Sequence, residues 1–152
     1  MDLFEAICEG LGLAIAVGLL IGVVVPPVMP NWGVVAGSAP LGVIAAGAAL
    51  HGADEAVWPA LFVGVIGAGL AGIVARDVAS GAIRREQDQM TPADVQAPSG
   101  VTAIFVFASI AVAGISLFLP YFSLVALAAL VWLWFARRRR AERKHEGLRV
   151  LR

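Results

Sequence analysis

The chain has 152 residues, 60% of them apolar (Ala, Val, Ile, Leu, Met, Phe, Trp, Tyr, Cys) and 14% charged, with a mean hydropathy of +0.88; an ordinary soluble domain is about half apolar and a quarter charged. That excess excludes a water-soluble monomer, because so short a chain lacks the interior to bury several wholly apolar segments. Formal net charge is zero from 11 basic and 11 acidic residues, yet positions 1–75 hold no Lys or Arg, and eight of the 11 basic residues lie in 137–152.

About 20 largely apolar residues cross a hydrocarbon core of about 30 Å as a helix, and five runs approach that length. The first covers about 4–25 and stops at Pro26-Pro27, where ring sterics and missing amide donors end a helix. It carries Asp2, Glu5 and Glu9 where a signal peptide has basic residues, so it is expected as a retained span. The second, 34–50, is short, rich in Gly and Ala, and contains Pro40. A re-entrant segment there would reduce the count to four spans. The third, 60–76, follows His51, Asp54, Glu55, Trp58 and Pro59 and ends at Arg76-Asp77. Residues 77–100, with Pro92 and Pro98, are expected as the long aqueous loop, although Val78 and Ile83 would let the helix continue beyond Arg76. Residues 101–136 carry no charge; one helix of that length would be about 54 Å long, so Pro120 marks a turn between spans 101–119 and 121–136.

Lys and Arg close to span ends stay on the cytoplasmic side. With five spans the tail at 137–152, Arg76, Arg84 and Arg85 all fall inside, and the acidic N-terminus falls outside. The fold expected is an all-α polytopic bundle: a transmembrane domain at 1–136 and a basic cytoplasmic tail, in the plasma (inner) membrane of a bacterium.

Within lipid, helices associate through small residues that let backbones approach. Gly18 and Gly22, Ser38 and Gly42, Gly12 and Ala16, and Ala68 and Gly72 have the required spacing of four. Gly18, Gly22, Gly69 and Gly72 are the expected packing positions. Glu5 and Glu9, one turn apart on a small-residue stripe, are candidates for a proton or cation site, since an ionisable group in hydrocarbon is costly unless it serves something. Arg76 and Asp77 are candidates for a polar gate; being consecutive, they point apart on a helix and are not expected to pair.

His51 with Asp54 and Glu55 reads as a solvated turn rather than a metal site, and the single cysteine, Cys8, excludes a disulfide framework or multi-cysteine centre. Arg137, Arg138, Arg139 and Arg140 follow Trp132 and Trp134 directly, as expected for contact with anionic lipid headgroups. No aromatic interleaving or DNA-binding motif accompanies these cations, so nucleic acid is not an expected partner. Phosphate loops, zinc-protease and serine-hydrolase motifs are absent from the sequence, and neither enzymatic activity nor a cofactor is expected.

Gly10-Leu-Gly-Leu-Ala-Ile-Ala-Val-Gly-Leu-Leu-Ile-Gly22 leading to Pro26-Pro27, the Gly-rich third span and the closing apolar hairpin with its basic ending together resemble the bacterial DUF4126 family. That resemblance implies a small multi-spanning membrane protein without an assigned activity, and it supplies no catalytic residue. The first span is also similar to the start of MgtC/SapB-type proteins, but it lacks the Glu-Arg pair expected after Ile21-Gly22. The function expected is a non-enzymatic, homo-oligomeric channel- or transporter-like protein for a small ion or solute. The alternative is a membrane-embedded scaffold or interaction subunit that conducts nothing.

Overall fold

The computed structural model describes residues 2–25, 30–53, 56–87 and 100–149, and side chains within them other than those of 82–87, 101 and 140–149. It is all-helical over these residues: α1 Leu3–Val24, α2 Asn31–Gly52, α3 Pro59–Gln87, α4 Gly100–Phe118 and α5 Phe122–Arg149. Three helices, α1, α2 and the Pro59–Gly81 part of α3, are long and apolar enough to cross a membrane; α4 contains a shorter apolar helix, Thr102–Phe118.

Local chemistry accounts for the helix ends. The Glu5 carboxylate accepts the Asp2 amide hydrogen at 3.4 Å in the first turn of α1, half of the reciprocal arrangement that satisfies helix-start donors. α3 opens on Pro59, whose missing N–H would have no intrahelical acceptor at that position. Between α4 and α5, the Phe122 amide bonds the Leu119 carbonyl at 2.9 Å, so Pro120 and Tyr121 form a tight turn.

α2 runs through Pro40 without a break and extends beyond both ends of the 34–50 run. Pro40 cannot donate to the Ala36 carbonyl, but both residues lie on the exposed side of the helix, where the ring meets no neighbouring helix and the remaining ladder holds. α3 continues past Arg76 to Gln87, so 77–87, expected as loop, is helical. α5 carries the apolar run directly into the basic tail as far as Arg149. The Pro26-Pro27 break, the Asp54-Glu55 pair and the loop prolines Pro92 and Pro98 lie outside the described residues.

The helices alternate in direction, and α1 is the hub that touches all four others, while α2 touches only α1 and α3. α1 and α3 run parallel, with Gly18 facing Ala68 and Gly22 facing Gly72; α2 lies antiparallel to both, with Ala46 facing Gly10 and Gly42 facing Gly64 and Ala68. Against the other side of α1, Ser116 of α4 and Ser123 of α5 meet Gly12.

Burial sorts residues by size rather than polarity. The interior is built of Ala6, Ala14, Ala16, Ala46, Ala68, Ala71, Ala75 and glycines, with a larger cluster of Leu11, Ile15, Leu19, Val74 and Leu130 where α1, α3 and α5 meet. Trp32, Ile44, Trp58, Phe62, Phe107, Phe118 and Trp132 are more than 60% exposed. Small residues inside and large apolar residues outside is the arrangement expected when the solvent is lipid.

Candidate functional site

The sequence candidates fall at opposite ends of the bundle. Gly18 pairs with Ala68 and Gly22 with Gly72, so Arg76 lies one helical turn beyond the level of Gly22. From Glu9 that is a helical rise of about 25 Å. Glu5 and Glu9 therefore do not share a site with Arg76 and Asp77.

At the first end, Glu5 and Glu9 are both half-buried. The Tyr121 hydroxyl donates to Glu5 Oε1 at 3.5 Å, and its ring packs 6.0 Å from that of Phe4. Charge repulsion from the Glu5 carboxylate, followed by desolvation and the hydrogen bond, raises the Tyr121 phenol above its ordinary pKa. His51, at the same end, is exposed. No group of three metal-ligating side chains occurs among the described residues.

At the other end, Arg76 is 9% exposed, the most buried charged group described. Its Nη1 donates to Asn31 Oδ1 at 3.2 Å, tying α3 to the first residue of α2. Asp77 is half-buried beside it, and its backbone carbonyl accepts the Ser80 hydroxyl at 3.3 Å. The rigid guanidinium fork suits such a site, satisfying fixed acceptors while the stem lies along apolar surface.

Between the two ends the three-helix seam is closed. A methyl carbon in place of the Gly18 hydrogen would stand 2.7 Å from the Ala68 Cα, one at Gly42 2.7 Å from the Gly64 carbonyl oxygen, and one at Gly22 2.9 Å from the Ala75 Cβ. Gly72 abuts Val34 and Ser38, whereas a side chain on Gly69 would meet only Val35 at 3.7 Å, ordinary contact. Ser38 is wholly buried in this seam with its hydroxyl unpartnered.

α5 ends in the cations. Arg137 is half-buried, whereas Arg138 and Arg139 are exposed; the Arg138 guanidinium lies 5.6 Å from the Trp134 ring centroid. The Arg140 side chain is outside the described residues. Two apolar clefts flank Trp132. One, of about 450 Å³, lies among α1, α3, α4 and α5 and ends at Arg137; the other, of about 660 Å³, follows the outer face of α5 and ends at Arg139. Neither reaches Glu5, Glu9, Arg76 or Asp77.

Asn31, Ser109 and Gly64 were not legible as contact residues. Asn31 sits before the apolar run. Ser109 looks like any serine in a hydrophobic helix, yet its hydroxyl donates to the Ala16 carbonyl at 2.8 Å and fastens α4 to α1. Gly64 lacked a signal, because its partners, Gly42 and Val43, are set by helix register. No protein-family model, curated protein or solved structure matches this chain.

Proposed function

We propose that this is a non-enzymatic integral membrane protein of a bacterial plasma membrane, with five spans formed by α1 to α5, that works as a membrane-embedded scaffold or interaction subunit and self-associates. The observation that carries this reading is the closed seam of α1, α2 and α3, where backbones meet at Gly18, Gly42 and Gly64 and leave no space for a solute between them. The exposed apolar faces of α2 and α3, bearing Leu41, Ile44, Leu61, Phe62, Val65 and Ile66, are the surfaces through which it meets lipid and neighbouring subunits.

Alternation of the helices supports an outside N-terminus and a cytoplasmic tail. It gathers Arg76, Arg137, Arg138 and Arg139 at one end and Asp2, Glu5 and Glu9 at the other, the distribution the positive-inside rule favours. The resemblance to DUF4126 proteins agrees with this reading and adds no activity to it.

A second reading, an ion- or solute-conducting oligomer, has one observation in its favour. The burial of Arg76 is costly for a charge at the end of a bundle unless the group serves something. Reconstitution into liposomes separates the two. A scaffold gives no ion flux above empty vesicles and cross-links to discrete oligomers; a flux that Arg76→Gln or Glu9→Gln abolishes replaces it with the second reading.

A further inference from the structure

We propose that the cleft among α1, α3, α4 and α5 is a discrete site for one anionic phospholipid, with an acyl chain in the cleft and the phosphate at Arg137; this rests on the membrane reading above. α4 and α5 join at a tight turn but make few contacts beyond it, α4 leaning mainly on α1 and α5 on α1 and α3. The wedge left between them is walled by Leu19, Val74, Val78, Phe105 and Leu130, with Arg137 at its mouth. A cleft of about 450 Å³ is in the range of ligand sites, and its walls are apolar apart from the Trp132 indole and the arginine itself.

Geometry also sets the scale. From Leu130 to Arg137 the rise along α5 is about 10 Å, within the depth of one leaflet of a core about 30 Å thick. An apolar slot of that depth with a cation at its mouth fits an amphiphile with a chain below and a negative charge above. Arg137 is the half-buried one of the three arginines of α5 whose side chains are described, whereas Arg139 closes the open groove on the opposite side of Trp132. A free anion would have no use for the slot, and a neutral lipid none for the arginine.

Native mass spectrometry of the full chain in detergent, titrated with phosphatidylglycerol or phosphatidylcholine of identical chains, tests the site. One phosphatidylglycerol per protomer is expected to be retained, with a preference over phosphatidylcholine of about fivefold, the effect of one cation near a headgroup. Arg137→Gln removes the preference, Arg137→Lys keeps it, and Arg139→Gln leaves the first bound lipid unchanged. Val78→Trp, which fills the slot, lowers retention of both lipids. Equal retention of the two lipids, an unchanged preference in Arg137→Gln, or a dimer whose formation expels the lipid overturns the proposal. A chain that stays monodisperse after detergent removal defeats the membrane reading instead; one that needs detergent but holds no anionic lipid defeats this site alone.

Discussion

Gly22 of α1 lies directly against the backbone of Gly72 of α3, so that a side chain on Gly22 would run into the Gly72 carbonyl and stand 2.9 Å from the Ala75 Cβ. Backbone cannot turn aside as a flexible side chain can. Gly22→Val is therefore expected to destabilise toward the upper end of the range of about 1–3 kcal/mol for overpacking. Gly69→Val, whose new side chain would meet only Val35, should fall below about 1 kcal/mol. Unfolding in mixed micelles, followed by helical circular dichroism, measures both. Equal tolerance at the two positions would remove the close α1–α3 approach from the fold.

Asn31 gives the buried Arg76 a neutral acceptor where a carboxylate would also fit. Asn31→Asp converts this into a charge-assisted hydrogen bond, which is shorter and stronger than one to a neutral amide. We expect Asn31→Asp to raise the thermal midpoint, with a gain that shrinks as salt is added. Asn31→Leu should cost about 1 kcal/mol, since Arg76 loses an acceptor at a position water partly reaches. A lower midpoint for Asn31→Asp than for Asn31→Leu would show that the contact does not hold α2 to α3.

The helical class was legible from the length and apolarity of the runs, and the small-residue interior from Gly, Ala and Ser spaced by four. Which glycines make contact was not, because the membrane-length stretches of the helices are apolar on every side and periodicity cannot point to a buried face. Gly18 and Gly69 look alike in sequence; register against α3 and α2 places one at a backbone crossing and the other beside Val35. The same reason hid Ser109, whose partner is a backbone carbonyl 93 positions away. Glu5, Glu9, Arg76 and Asp77 stood out by charge, but their separation by the length of the bundle depends on the parallel pairing of α1 with α3.

Tyr121 is the one tyrosine in the chain, so phenolate absorbance during an alkaline titration reports it alone. With the Glu5 carboxylate beside it, it is expected to ionise above the ordinary value of about 10. Glu5→Gln should bring that midpoint down toward the ordinary value. A group whose folded pKa is raised contributes stability below its unfolded pKa and loses it as pH rises through the folded one. Glu5→Gln should therefore reduce sensitivity to alkaline pH. A midpoint in the native chain at or below that of Glu5→Gln would separate the α4–α5 turn from the start of α1.

Five helices of alternating direction place Asp2 and the basic end of α5 at opposite ends of the bundle, so the proposed five spans put them on opposite faces of a membrane, and Cys8 makes that simple to measure. Cys8 is 1% exposed and packs near Ser123, so the native thiol should resist a charged, impermeant maleimide in intact cells and leave a silent background. Asp2→Cys is then expected to label from outside without permeabilisation. Ala141→Cys, four positions beyond Arg137 in the basic stretch, should label only after the membrane is opened. Labelling of both from the same side would mean an even number of crossings and would leave one of the five helices lying along or within the membrane. Strong labelling of the native chain would show that α1 does not pack against the start of α5 as described.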